Sequence, residues 1–259
     1  MLFRLKSRFK AGQSANGTFV FSKDPSSTEI AGVAGFDFVI VDREHSALSW
    51  SEITEHARAA QAVGTSMLVR TRGSSGDEVA KALDIGAEGV VIPHFGMDHA
   101  SGLEAVGAAR YAPNGTRGTC TGTRSSGFGL QTFSKIVAEA NSEALVVVQI
   151  EDKEVLTGLD DLLSAAKVDA VMPGLADLAT SFGLPGQFAA AEVIQATEQI
   201  FEVADRLGIC TGAYIANAGE VERWRERDCD FLVYSIDQKV LAESYRFALS
   251  SIQTKQTNY

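Results

Sequence analysis

Leu145-Val146-Val147-Val148-Gln149-Ile150-Glu151-Asp152 is the stretch that decides the fold. Leu145 to Ile150 is a short apolar run rich in valine, the pattern of a strand covered on both faces in a parallel sheet. Gln149 interrupts the run, and Glu151 stands where the strand should end. In a barrel of parallel strands that end is the active-site face. The next apolar run, Val168 to Met172, leads into Pro173-Gly174-Leu175-Ala176-Asp177 and so also ends near an acid. Two carboxylates on adjacent strand ends, with little positive charge nearby, suit a hard divalent cation that keeps open water positions.

The same alternation extends in both directions. Strands are expected at Thr18–Phe21, Phe36–Asp42, Met67–Arg70 and Gly89–Pro93, then at 145–150, 168–172, Cys210–Ile215 and Phe231–Ser235. Helical patterns fall at Ser27–Ala34, Ser49–Val63, Asp77–Ile85, Met97–Arg110, Gln131–Ala140, Ala189–Leu207 and Gln238–Ile252, and residues 1–10 read as a short amphipathic helix. Ser27 and Ser49 are candidate N-caps, and Glu52 stands at the capping-box position. Alternating strands and helices imply an α/β fold with a parallel sheet. Eight units in 259 residues fit one (β/α)8 TIM barrel spanning 1–259 as a single domain. A doubly wound open sheet is the alternative, but no glycine-rich fingerprint follows the first strand. Residues 113–129, rich in Gly, Thr and Ser, are too long for a plain connection, and such loops are often functional or mobile.

Composition narrows the function classes. The chain is 45% hydrophobic and 22% charged, with a net charge of −10. That charge argues against nucleic acid as a partner. No apolar run approaches the roughly 20 residues of a membrane span. The basic N-terminus lacks the apolar core of a secretory signal. Cys120, Cys210 and Cys229 show neither metal-ligand nor redox spacing, so a reduced, cytoplasmic protein is expected.

Polar residues gather after the apolar runs. Asp42-Arg43-Glu44-His45 follows the second strand, Arg70 closes the third, His94 follows the fourth, Gln149 and Glu151 close the fifth, and Asp177 and Asp237 follow the sixth and eighth. Any one of these residues is as easily structural, but the ring as a whole collects a base, a cation and two acids. Glu151 and Asp177 can supply oxygen ligands to Mg2+, Mn2+ or a similar ion such as Co2+. His45 can move protons near neutral pH. Arg70 is a permanent cation suited to a carboxylate or an enolate oxygen. Gly174 to Asp177 can offer backbone N–H groups to an anion at the start of a short helix. Metal, arginine and base together suit enolate chemistry beside a carbonyl. A Schiff-base mechanism has no well-placed lysine. Lys153 is the one candidate, and it reads as solvated.

These residues resemble the HpcH/HpaI aldolases, metal-dependent class II pyruvate aldolases. The resemblance covers nearly the whole chain. It rests on Ala34-Gly-Phe-Asp-Phe-Val-Ile-Val-Asp-Arg-Glu-His45, Val69-Arg70, Ala82-Leu-Asp-Ile-Gly-Ala87, Val91-Ile-Pro-His94, Gly115-Thr-Arg-Gly118, Val148-Gln-Ile-Glu151 and Pro173-Gly-Leu-Ala-Asp-Leu178. It implies cleavage of a 4-hydroxy-2-oxo acid to pyruvate and an aldehyde through a metal-chelated enolate. Glu151 and Asp177 match the metal ligands, Arg70 the residue that stabilises the enolate, and His45 the catalytic base. Asp84 matches the acid paired with that histidine, and Gln149 a residue near pyruvate or its water. Gly174, Ala176 and Asp177 match the pyruvate-binding segment, with Ala176 and Asp177 holding the carboxylate through backbone N–H groups. Asp42 and Glu44 match polar residues of the histidine loop. The resemblance also implies a barrel of the phosphoenolpyruvate/pyruvate type whose last helix is swapped between subunits, in a homo-oligomer such as a hexamer or trimer of dimers.

The chain departs from the pattern at Arg43, at Ser46-Ala47-Leu48 and in the loop Thr119–Gly129, which contains Arg124. Arg43 and Arg124 are open to two readings, contacts for an acidic aldehyde or solvated charges. Citrate-synthase-like or acyl-CoA chemistry on the same barrel is the alternative function.

Overall fold

In the computed structural model, which describes residues 5–254, eight short apolar runs form strands. They are β1 (Ala15–Val20), β2 (Phe38–Asp42), β3 (Ser66–Arg70), β4 (Gly89–Ile92), β5 (Leu145–Ile150), β6 (Ala170–Pro173), β7 (Cys210–Ile215) and β8 (Phe231–Ile236). Each pairs in parallel with the next, and β8 pairs with β1, so the sheet closes on itself. The (β/α)8 barrel is therefore observed, and the open sheet is excluded. The helices are α1 (Leu5–Lys10), α2 (Ser26–Val33), α3 (Trp50–Val63), α4 (Gly76–Asp84), α5 (His99–Gly107), α6 (Phe133–Glu143), α7 (Leu159–Ala166), α8 (Leu175–Ser181), α9 (Ala191–Leu207), α10 (Val221–Glu226) and α11 (Asp237–Thr254). Of the helix expected over 1–10, residues 1–4 lie outside the described residues.

Two cores follow from the alternation of side chains along each strand. Outward-facing Val39, Val41, Val69, Val90, Val146 and Val148 pack under the helices. Inward-facing Phe19, Phe38, Ile40, Leu68, Val91, Val147, Met172 and Phe231 fill the barrel, and Leu5 and Phe9 of α1 join them from the N-terminal end. Phe9 stacks on Phe231 at 5.5 Å, and Phe38 meets Phe231 edge-on at 6.1 Å. Gly212 makes room for that ring, because a Cβ there would lie 2.1 Å from it.

Local signals held unevenly. At α3 the Ser49 side chain accepts from the Glu52 N–H at 3.3 Å, and the Glu52 carboxylate accepts from the Ser49 N–H at 2.7 Å. Ser27 is not an N-cap. α2 starts a residue earlier, after Pro25, without a side-chain cap, and the Ser26 hydroxyl is spent on Asp24. α7 and α10 are not among the expected helices, although Leu159, Leu162, Leu163 and Ala166 of α7 recur at helical spacing and are all buried. Asp237 serves the fold, since its carboxylate accepts the N–H groups of Phe21 and Ser22 at 3.0 and 3.2 Å. This pins the start of α11 to the end of β1. From Gln238 to Gln253 every residue of α11 is exposed, including Leu241, Tyr245, Phe247 and Ile252. Among the described residues no helix is long and apolar enough to cross a membrane.

Candidate active site

The C-terminal strand ends bring most of the expected residues together. Asp42 ends β2 and is fully buried. Its carboxylate accepts the His45 N–H at 2.8 Å and the Glu44 N–H at 3.3 Å, which folds the loop back over the strand. The same carboxylate accepts from Arg70 Nε, at the end of β3, at 2.5 Å. The Arg70 guanidinium lies 4.7 Å over the Phe19 ring, and its other side faces Glu44 at 3.3 Å and Gln149 Oε1 at 3.5 Å. Arg70 is thus locked by a carboxylate, an aromatic face and an amide, with its fork aimed into the barrel mouth. Asp42 is the organiser of this corner, and Phe19 is a functional neighbour the sequence did not mark. A phenylalanine in an inward strand position reads as ordinary core.

Glu151, just past β5, is almost fully buried. Burial pushes its carboxyl up to about 7. The His94 N–H opposes that shift, while Glu44 and Asp177 add to it. Its Oε1 accepts the His94 N–H at 2.7 Å. Its Oε2 lies 3.5 Å from Gln149 Nε2. A Cβ on Gly174 would sit 2.0 Å from Oε2, so the glycine leaves the space that this oxygen faces. Asp177 lies in the first turn of α8 and is exposed. Burial also raises the Glu44 carboxyl, against the pull of Arg70, His45 and His94. The corner is acidic, and Arg70 is the permanent cation that faces Glu44 and Asp42 there. Among the described residues no cluster of three or more His, Cys, Asp or Glu side chains is arranged to hold a metal. Two carboxylates and a cradle that a Cβ would fill still fit a hard cation completed by water and substrate oxygens.

A cavity of about 500 Å3 connects these parts. His45, Arg70, Gln149, Glu151 and the segment 173–177 are among its lining residues. Phe21, Phe188, Tyr214, Trp224 and Ile236 line it too, with Glu220 and Arg223.

Three residues fall elsewhere. Asp84 ends α4, which runs from the end of β3 back to the start of β4, so it sits at the opposite end of the barrel from His45. There it takes the Arg117 guanidinium at 2.7 Å. Within one chain it does not meet His45. Arg43 neither faces a substrate nor lies in solvent. It is buried, forms a two-pronged bond to Glu78 at 2.7 and 2.9 Å, and stacks 4.0 Å over Trp50. Arg124 bonds Gln61 near the C-terminal end of α3, and Ser125 N–H donates to the Asp84 carbonyl at 3.1 Å. The loop 113–129 therefore lies toward the N-terminal end of its own barrel, away from its own cavity.

Fold and site together define a barrel enzyme with its polar residues on the C-terminal strand ends. The sequence profile of the HpcH/HpaI aldolase/citrate lyase family matches residues 16–244. A hydroxypyruvate/pyruvate aldolase of Sagittula stellata is 30% identical, over 92% of this chain and 93% of its own. An HpcH/HpaI aldolase of Desulfitobacterium hafniense superposes with a TM-score of 0.91 at 31% identity, over 97% of each chain. The citrate synthase SbnG superposes with a TM-score of 0.89 at 26% identity, over 99% of this chain and all of its own. The chain belongs to the HpcH/HpaI aldolase/citrate lyase family, and it is a lyase of the aldolase type.

Proposed function

We propose that the protein is a divalent-metal-dependent pyruvate aldolase, reversibly cleaving a 4-hydroxy-2-oxo acid to pyruvate and an aldehyde. The observation that carries this reading is the convergence of Arg70, Gln149, Glu151 and Asp177 on one cavity. Glu151 and Asp177 would hold Mg2+, Mn2+ or Co2+. The cation supplies Lewis-acid polarisation of the keto group and balances the enolate charge. Arg70 holds its guanidinium where the enolate oxygen gains charge, prepaid by Asp42 and Phe19. The N–H groups of Ala176 and Asp177 receive the carboxylate, with Gly174 keeping the approach open. His45, on the cavity wall, takes the proton from the C4 hydroxyl as the C3–C4 bond breaks. Glu44, 3.6 Å from His45 Nε2, orients that ring.

Pyruvate fills only the polar corner. The aldehyde body then meets Phe21, Phe188, Tyr214 and Ile236, which favours an acceptor with an apolar part. We further read the protein as a cytoplasmic homo-oligomer with α11 exchanged between copies. The exposed apolar face of α11 and the three free cysteines support this.

The test is exchange of the pyruvate methyl protons with deuterated water, followed by NMR. Exchange that needs Mg2+ or Mn2+, stops with chelator and falls about 100-fold or more in Arg70→Ala is the expected result. No exchange in folded, metal-binding protein would sink the pyruvate reading and turn attention to citrate-synthase-like chemistry, as in SbnG.

A further inference from the structure

His94 has no role in the chemistry above, yet four contacts converge on it. It follows β4 with φ +47°, a left-handed backbone that a residue with a Cβ keeps only when its surroundings over-determine it. Its N–H donates to Glu151 Oε1 at 2.7 Å. Its Nδ1 lies 3.0 Å from Asp152 Oδ2 and 3.7 Å from Glu151 Oε1, and its Nε2 lies 3.7 Å from Glu44 Oε1. The ring is thus set among three carboxylates from the ends of β2 and β5, while its own backbone grips one oxygen of the proposed cation ligand. The other oxygen, Oε2, faces the space left by Gly174. His94 is not among the residues that line the cavity; its ring is exposed, and it meets Glu151 Oε1 through its backbone N–H.

We propose that His94 is a positioning residue for the cation site. Resting on the metal-dependent reading above, this assigns to His94 the fixing of the Glu151 rotamer. The N–H holds Oε1, and the Asp152–imidazole contact holds the left-handed turn that aims that N–H. A carboxylate ligand held by such outer partners binds its metal more tightly than a free one, and losing a partner typically costs 10–100-fold in affinity.

The experiment is titration of the full chain with Mn2+ alone, read by electron paramagnetic resonance of the free ion, for native protein, Glu151→Gln, His94→Gly and His94→Asn. Glycine keeps the N–H and relaxes the left-handed backbone but removes the imidazole. Asparagine tolerates the same backbone and keeps a short side-chain donor for Asp152. The expected result is Mn2+ binding about 10-fold weaker in His94→Gly, intermediate in His94→Asn, and lost in Glu151→Gln, with melting temperatures close to native in both His94 variants. A His94→Gly affinity within about twofold of native, where 10-fold is expected, overturns the proposal and leaves the metal reading standing. Tighter binding overturns it too, because the imidazole would then be acting as a counter-charge that competes with the cation. Native protein that binds no Mn2+ overturns both.

Discussion

Single atoms decide the candidate site, and Gly174 is the clearest case. A methyl group there would meet Glu151 Oε2 at 2.0 Å, and both residues are held by strand geometry. Gly174→Ala should therefore cost about 10-fold or more in Mn2+ affinity. Gly73→Ala, where nothing lies within 4 Å, should leave affinity unchanged. Equal effects from the two, in the same titration, would rule out the steric account. Asp42 offers a second test. It receives Arg70 and the N–H groups of Glu44 and His45, so Asp42→Ala leaves a buried guanidinium and two loop donors without their acceptor. Proton exchange from pyruvate should fall about as far as in Arg70→Ala, and the melting temperature should fall as well, since unpaired buried charge is costly. A normal exchange rate in folded Asp42→Ala would show that Phe19, Glu44 and Gln149 suffice to hold Arg70. Asp42, Glu44, His45, Arg70, Gln149, Glu151 and Asp177 were legible in sequence because polar residues recur at or soon after the ends of the apolar runs, and the structure gathers them at one end of the barrel. Phe19 was not, since its role depends on which cation crosses its face. Nor was Arg43, whose partner Glu78 lies on another helix.

Elements show the same division between local and distant causes. α3 was readable because Ser49 and Glu52 cap it from within four residues. α7 and α10 are short and have no side-chain cap, and the apolar spacing of α7 at Leu159, Leu162, Leu163 and Ala166 spans only two turns, which is why both are easily passed over. The seam between α2 and α3 carries a pH prediction. His56, fully buried, pairs its Nδ1 with the Thr28 hydroxyl at 2.8 Å and its Nε2 with the Ser22 carbonyl at 3.1 Å. Burial lowers its pKa below the ordinary value of 6.5, despite the Ser22 contact and Asp237. Above about pH 6.5 both folded and unfolded chains hold it neutral, so its full contribution is present. As the pH falls below that value, the unfolded chain takes up a proton that the folded chain resists. Stability then drops with a limiting slope of roughly 1.4 kcal/mol per pH unit, until the folded pKa is reached. His56→Gln keeps polar contacts and removes the titration. Urea unfolding at several pH values between 5 and 7 should give a flatter profile for the variant. An unchanged slope would exclude His56 as its source.

At the scale of the whole molecule, one chain does not bring Asp84 to His45. Barrel connectivity carries Asp84 to the end opposite His45, and Arg117 holds it there. The loop 113–129 follows it to that end, and α11 leaves its own barrel with its apolar residues bare. If Asp84 serves His45 as the resemblance implies, the acid would come from another copy, and an exchanged α11 would be the contact that brings copies together. The resemblance pairs His45 with Asp84, but the sequence does not show that the two lie at opposite ends of one barrel, because connectivity is fixed only once the barrel closes. Subunit mixing tests the arrangement. His45→Ala and Asp84→Ala should each be nearly inactive in aldol cleavage. After co-refolding in equal amounts, about one quarter of the sites should join a native His45 to a native Asp84 from a neighbour, and activity should return to roughly that fraction. Each variant should also keep the native size on a column. If co-refolded mixtures show no more than the sum of the two variants, His45 works without Asp84 or the two act within one chain, and the exchange of catalytic groups between copies is wrong.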